Sequence, residues 1–384
     1  MAHLNTLMGQ LLQLIPRHVF DHLVDSHAWQ GPKPRKFSYW SQLGAMLYGQ
    51  LSGRKSLRDL IFSVNQQTHK LYHLGQTEIK RSTMADANEQ RPAVIFEKLY
   101  HRLLDRVYAD MARQQADNPE IKIIDSTTIE LCAAVFPWAK FRAQKGAIKL
   151  HTVLRDLLPQ CVILTDGNAH DLTAAKKMEF EAGDLLVIDR AYIDYAWLYG
   201  LHRQGVWFVT RLKTNACYEV MAEREITVPD LVLADEVIRL SSAHGLAVYP
   251  EPLRRVHYRD PETGKEYVFL TNRLDLSALE VAALYRRRWQ IELFFKWIKQ
   301  NLKIKAFYGT SKNAVLIQIW TALLSYLLLI WVKLRSTVGW GLLEIARFIQ
   351  TMLLERCKLW DILSPRDNFP ETGQLSLFNF RAGH

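Results

Sequence analysis

Cysteine is scarce in this chain of 384 residues, and the four present (Cys132, Cys161, Cys217 and Cys357) form no CxxC pair. That spacing argues against a zinc finger and against a disulfide framework, and it fits a reducing compartment. No internal repeat and no low-complexity tract is visible. The first residues, MAHLNTLMGQLLQLIP, are apolar at helical spacing but carry no basic n-region and no small-residue cleavage site, so no secretory signal is expected. Acid is also missing where it is most conspicuous. Between residues 281 and 340 there are ten basic residues and one acid, Glu292. A lone carboxylate among ten cations needs a reason.

What is present is a chain 49% hydrophobic and 11% aromatic, enough for two or three domains with cores of their own. Its formal charge of +10 points weakly to a polyanionic partner, since many enzymes are basic without binding nucleic acid. The uncharged run from Ala314 to Val332 is long enough to span a bilayer. A single span directly after a basic, polar helix is an odd design, so the run is read as a helix buried on all sides, with no membrane partner.

Residues 1 to about 117 read as helical. Leu4, Leu7, Leu11, Leu14 and Ile15 follow helical spacing up to Pro16. The stretch 40–62 reads as two helices meeting at Ser52-Gly53, and 31–38 as a basic, Pro-rich linker. A third helical pattern starts after Ser82-Thr83 and runs on through Arg91-Pro92. This region is either a small helix-turn-helix-like domain that touches DNA or a helical cap that does not. The first is favoured by the chemistry that residues 118–303 carry.

The texture changes near residue 118. IKIID (121–125), KLHTVLRD (149–156), QCVILTDG (160–167), DLLVIDRAY (184–192) and VWFVTRL (206–212) read as strands, with a helix between the last two. Three adjacent strands followed by strand–helix–strand fit an α/β, RNase H-like arrangement: a mixed five-stranded sheet with helices on its faces. Residues 213–272 read as a β-rich insertion with a hairpin at DPETGK. A helix follows from Ser277 to about Lys303. The expected domains are thus 1–117, 118–340 with the insertion inside it, and 341–384 as a C-terminal helix and polar extended tail.

Cutting a phosphodiester at neutral pH needs an activated oxygen nucleophile and charge stabilisation on an in-line phosphorane. Two magnesium ions about 3.5–4 Å apart supply both, and hard cations need oxygen ligands. Asp125 and Asp189 each end a strand and are candidates. Taken alone, each is also explained as an ordinary strand-end aspartate capping a turn. The rivals Asp156, Asp166 and Asp184 sit in turns and read as solvated. Glu292 carries the specific signal. In YRRRWQIELFFKWIKQNLK, taken as one helix, Tyr285, Arg288, Trp289, Glu292, Lys296, Lys299 and Lys303 fall on or beside one stripe, and Ile291, Phe294, Phe295 and Ile298 lie opposite. A solvated face with an i,i+4 pair from Glu292 to Lys296 explains the charges. It leaves the Trp and Tyr in the stripe unexplained, whereas a base pulled out of a duplex can stack on an aromatic there.

The spacing Tyr285-x2-Arg288-x3-Glu292-x6-Lys299, after two strand-end aspartates and a β-rich insertion, resembles the Tyr-Arg-Glu-Lys signature of bacterial insertion-sequence DDE transposases, the insertion-sequence-four family. The resemblance covers roughly residues 4–335. It implies a transposase that binds the terminal inverted repeats of its element and carries out strand cleavage and strand transfer, with Asp125, Asp189 and Glu292 as catalytic metal ligands. It implies two Mg²⁺ ions, with Mn²⁺ as substitute, and DNA contacts from Tyr285, Arg288 and Lys299. A homodimer in a synaptic complex and a cytoplasmic, nucleoid-associated location follow from the same resemblance. In relatives the insertion contributes to hairpin-forming chemistry. One departure is Ala191 where relatives often have Gly, which puts the turn after Asp189 in question. The His170-Asp171 pair also looks family-like, in a supporting role. The alternatives are an RNase H-like nuclease without strand joining and an inactive transposase-derived DNA-binding protein.

Overall fold

The computed structural model describes residues 5–28, 34, 36–71, 78–112, 121–132, 134–142, 145–155, 158–301 and 307–364. They fall into two compact units, one of residues 1–116, 134–138 and 297–384, the other of 117–133 and 139–296. The tail from residue 365, and part of the basic linker at 31–38, lie outside the described residues.

The first unit opens with helices α1 (Leu7–Gln13), α2 (Arg17–His27), α3 (Tyr39–Leu51), α4 (Leu57–Gln66), α5 (Thr68–Leu71), α6 (Arg81–Gln90) and α7 (Val94–Ala112). Hydroxyl caps start three of them: the side chains of Thr6, Ser38 and Ser56 accept from the backbone of Gly9, Ser41 and Asp59. Between α3 and α4 the chain turns through Gly53 at φ 71, a left-handed conformation that glycine adopts without penalty. The sequence pattern predicts a single helix through Arg91-Pro92, but the structure breaks it there into α6 and α7. Arg91 is extended (φ −77, ψ 131). A residue before proline avoids the helical region, and Pro92 has no N–H to continue the ladder.

The second unit contains β1 (Ile121–Cys132), β2 (Lys140–Arg142), β3 (Lys145–Arg155), β4 (Leu158–Asp166), α8 (Asp171–Ala175), β5 (Leu185–Ile188), α9 (Tyr195–Arg203), β6 (Trp207–Arg211), β7 (Tyr218–Glu223), β8 (Val232–Leu240), α10 (Ala243–Val248), β9 (Leu253–Arg259), β10 (Glu266–Thr271) and α11 (Ala278–Arg286). Helix α12 (Trp289–Asn301) begins in this unit, and α13 (Lys312–Arg335), α14 (Leu342–Met352) and α15 (Leu359–Leu363) complete the first one.

The strands form one ten-stranded mixed sheet in the order β2-β3-β1-β5-β6-β10-β9-β8-β7, with β4 also on β3. Five of them, β4-β3-β1-β5-β6, are the expected mixed set. The first three pair antiparallel, and β5 pairs parallel with both β1 and β6. The residues after β6 extend the same sheet, because β10 pairs antiparallel with β6. The hairpin at residues 260–265 joins β9 to β10 and turns through Gly264 at φ 67.

In the first unit the uncharged run is the core helix α13, with 94% of its most apolar window buried. Two of its buried hydroxyls are satisfied within the helix, where Thr321 and Ser325 donate to the carbonyls of Ile317 and Thr321, and the Gln318 side chain accepts from the Tyr308 N–H just before it. Asn313, in its first turn, donates to the carbonyls of Asn88 and Arg91 and accepts from the Ala93 N–H. It therefore satisfies the backbone groups that the α6–α7 break leaves open.

Asp184, expected to be solvated in a turn, is instead buried at the foot of β5. It accepts from Lys122 Nζ on β1 at 2.6 Å and from the Glu181 N–H at 2.8 Å. Truncating one partner of such a pair leaves a buried charge without compensation, at a cost of about 3–5 kcal/mol. Asp184→Ala is expected to lose that much stability in urea denaturation. The apolar double variant Lys122→Met/Asp184→Leu should recover most of it. A double variant as unstable as the single one would refute this account.

Candidate active site

The topology explains why two distant aspartates meet. Parallel pairing of β1 with β5 runs from Ile121↔Leu185 to Ile124↔Ile188 and stops. The next residue on each strand is the aspartate, Asp125 on one and Asp189 on the other. Strand β1 does not end at Asp125, as the sequence pattern predicts. It continues to Cys132, with Asp125 opposite Thr152 and Ser126 opposite His151 on β3. The run Ser126-Thr127-Thr128-Ile129 is rich in β-branched residues and suits a strand as well as a turn. What ends at Asp125 is therefore the neighbouring strand rather than its own.

Asp189 leaves β5 and caps a single 3-10 turn, Arg190–Tyr192, accepting from the Ala191 N–H at 3.0 Å. That turn has right-handed helical backbone, so Ala191 fits where relatives often carry Gly. Arg211, at the end of β6, brings its guanidinium to 3.9 Å from the Asp189 carboxylate.

The helix expected from Ser277 to about Lys303 is two helices. It breaks at Arg287-Arg288, where hydrogen bonds of the i,i+3 type run from Arg288 N to Tyr285 O and from Gln290 N to Arg287 O. Tyr285 is thus on α11, Arg288 in the turn, and Glu292 in the first turn of α12. The stripe read from a single helix is assembled across this break. The apolar face holds as predicted: Ile291, Phe294, Phe295 and Ile298 are buried.

The break lets Arg288 serve two carboxylates. Its guanidinium bonds Glu292, and it lies 3.4 Å from Asp125 Oδ2. The Glu292–Lys296 ion pair that a merely solvated face would carry is replaced by one a turn earlier, while Lys296 is exposed. Tyr285 is buried against Phe269, with ring centroids 5.0 Å apart, and the Arg288 guanidinium sits 5.8 Å from its ring centre. Trp289 is 59% exposed beside them. Lys299, in the last turn of α12, is partly buried and belongs to the first unit. Sequence reasoning missed Arg211 and Tyr192. The latter is a buried tyrosine whose ionisation is pushed up by burial and by Asp171, Asp125 and Asp189.

Burial pushes the Asp125 carboxyl up to about 6. The Ser126 N–H and Arg288 oppose the shift, and Asp189 and Glu292 add to it. Loss of hydration is thus the main cause of the shift, and the neighbouring carboxylates are the smaller one. Among the described residues no three metal-ligating side chains already converge as a cluster. The cation between Asp125 and Glu292 is the Arg288 guanidinium. The donor set of three carboxylates, with no thiolate or imidazole, nevertheless fits a hard divalent ion.

Because its folded pKa lies above the usual 3.8, Asp125 favours the folded state only while protonated. That contribution is complete below pH 3.8 and is lost as pH rises through about 6. In EDTA, Asp125→Asn should therefore exceed wild type in stability by about 1–3 kcal/mol at pH 8, and the difference should vanish near pH 4. A difference that stays constant across pH in denaturant titrations would contradict this assignment.

Comparison with known proteins places these residues in context. Residues 117–328 match the family model described as a transposase DDE domain, and residues 3–77 match one described only as a domain of unknown function, DUF4372. A Sinorhizobium fredii protein named as transposase y4zB is 33% identical over 280 residues, covering 71% of this chain and 76% of that protein. A Geobacillus stearothermophilus protein named as a transposase for the insertion sequence element IS5377 is 28% identical over 256 residues, 65% of this chain and 66% of that protein. One from Synechocystis, named for the element IS4SA, is 23% identical over 301 residues, 77% of this chain and 83% of that protein.

Proposed function

The chain belongs to the DDE transposases of bacterial insertion sequences, enzymes that act on DNA and rely on divalent metal ions, and from that premise we propose that it carries out cut-and-paste transposition of its own element, in the manner of the insertion-sequence-four family. In this reading the chain binds the terminal inverted repeats, cleaves them and joins the freed ends to target DNA. The observation that carries it is the site itself: Asp125 and Asp189 side by side where parallel pairing ends, with Glu292 linked to Asp125 through Arg288.

Asp125, Asp189 and Glu292 are the residues that would hold two Mg²⁺ ions, or Mn²⁺ in their place. When bound, such ions activate the attacking oxygen and stabilise charge at the phosphorus. The strands fix the backbone at Asp125 and Asp189, and the buried face of α12 fixes it at Glu292, so that side-chain movement alone would bring the ligands together. Arg288 offsets the charge of Asp125 and Glu292, and its guanidinium would contact a DNA phosphate at this site. Tyr285 backs Arg288 through its ring. Exposed Trp289 offers a stacking surface for an unpaired base, and Lys296 and Lys299 contact the DNA backbone. Strands β7–β10, within residues 213–272, are the β-rich insertion of this reading. The protein acts as a homodimer in the cytoplasm, at the nucleoid, because two element ends must be held together.

Helices α3 and α4, with the Gly53 turn between them, form the helix-turn-helix-like unit through which residues 1–117 bind the element end. The outer face of α4 supports this: Arg58, Phe62 and Gln66 lie one turn apart and exposed, with Lys55 at its start and Lys80 and Arg81 nearby in sequence at the start of α6. Arg58→Ala should weaken binding of an end-containing duplex about tenfold and reduce its salt dependence, without changing metal affinity. Unchanged binding in gel-shift titration would remove α4 from the interface.

The decisive experiment is cleavage of a labelled duplex carrying the element end, followed by a plasmid joining assay. Wild type should cut in Mg²⁺ and not in EDTA. Glu292→Ala should lose at least about a thousandfold in cleavage, as expected when a group acting on the transition state is removed, while retaining end binding. Cutting by Glu292→Ala at the wild-type rate would overturn the proposed mechanism.

A further inference from the structure

Directly beside the proposed metal ligand lies a polar cluster around Asp171, to which the resemblance gives only an unspecified supporting role. Asp171, the first residue of α8, directs Oδ1 at three groups from two strands. The Ser126 hydroxyl on β1 donates to it at 2.5 Å, Lys149 Nζ on β3 lies at 2.8 Å, and His151 Nδ1, also on β3, lies at 3.4 Å. Lys149 also donates to the Ala169 carbonyl at 3.3 Å, and His151 Nε2 meets the Thr165 hydroxyl of β4 at 2.8 Å. Burial pushes the His151 imidazole down to about 4, so it is neutral at physiological pH and Lys149 is the cation opposite Asp171.

The cluster holds one oxygen in place from several sides. Successive residues of a strand point to opposite faces, so Ser126 reaches Asp171 while Asp125 faces the other way. The two remain coupled through the backbone, because the Ser126 N–H donates to Asp125 Oδ1 at 2.8 Å. A hydroxyl pinned on one face therefore fixes the peptide whose N–H orients the carboxylate on the other. Tyr192, just after Asp189, is buried, and burial together with Asp171 and Asp125 pushes its ionisation up.

We propose that Asp171 is a positioning residue which, through the Ser126 hydroxyl, holds Asp125 in the orientation a divalent cation requires, with the Lys149 ammonium fixing Asp171. The inference rests on the reading of Asp125 as a metal ligand. Groups that orient a ligand from behind are worth about 10–100-fold in metal affinity.

The test uses the full-length protein with Mn²⁺ alone as probe, titrated by calorimetry, alongside thermal stability in EDTA, end binding, and cleavage as a function of Mg²⁺ concentration. Asp171→Ala should raise the Mn²⁺ dissociation constant 10–100-fold and raise the Mg²⁺ needed for half-maximal cleavage in parallel. End binding should be unchanged, and cleavage at saturating metal should fall less than tenfold. Ser126→Ala should act in the same direction, and the double variant should be no weaker than Asp171→Ala, since both break one chain of contacts. Asp171→Asn keeps an acceptor for the hydroxyl and should recover part of the affinity. If Asp171→Ala fails to fold in EDTA, Ser126→Ala decides, because it removes a single oxygen. Mn²⁺ affinity within twofold of wild type in the folded variants would overturn the role of Asp171, provided Asp125→Ala abolishes binding. Wild-type affinity in Asp125→Ala would instead overturn the ligand reading, and this inference with it.

Discussion

Carboxylates held close together in a partly buried site repel one another, and the fold must supply positive charge to keep them there. In this protein Arg288 supplies it. Its guanidinium sits between Asp125 and Glu292, and Arg211 approaches Asp189 from the end of β6. Even so, the Asp125 carboxyl is pushed up to about 6, mainly by burial and to a smaller extent by Asp189 and Glu292. Among the described residues the site thus sets two guanidiniums against three carboxylates and is left with a net negative charge. Everything around it, from the sheet register to the break between α11 and α12, serves to hold acid groups where they would not otherwise stay.

The scaffold does this by rigidity rather than by local binding strength. Strands β1 and β5 are tied at their beginnings by the buried pair Lys122–Asp184 and diverge at their ends, where the two aspartates emerge. The carboxylates thus sit at the unpaired end of a parallel ladder whose other end is locked. Glu292 is held differently. Its helix buries Ile291, Phe294, Phe295 and Ile298, and that packing fixes the rotation of α12 about its axis.

The first unit rests on another principle. Its central helix α13 is apolar enough to cross a bilayer by length and composition, yet it is buried, and its polar groups find partners in its own turns (Thr321, Ser325) or on neighbouring segments (Asn313, Gln318). Packing around it accounts for the apolar character of the run. The surface of this unit carries its charge elsewhere, on α4 and at the start of α6, where Arg58, Lys80 and Arg81 are exposed.

Local order was readable from the residues themselves. The glycine turn between α3 and α4, the five core strands, the apolar side of α12 and the buried reading of α13 depend on neighbours within a few positions, and periodicity records such neighbours directly. The spacing Tyr285, Arg288, Glu292, Lys299 and the two aspartates after apolar runs also marked the candidate site. Only the tertiary structure decided the rest. The helix breaks at Arg91-Pro92 and Arg287-Arg288, the continuation of β1 past Asp125, the burial of Asp184 against Lys122, and the gathering of Ser126, Lys149 and His151 on Asp171 all depend on partners far away or on pairing register. Arg288 and Asp125 lie 163 positions apart in the chain. A contact of that kind is set by which strands pair and where the pairing stops, and no window along the sequence contains both of its partners.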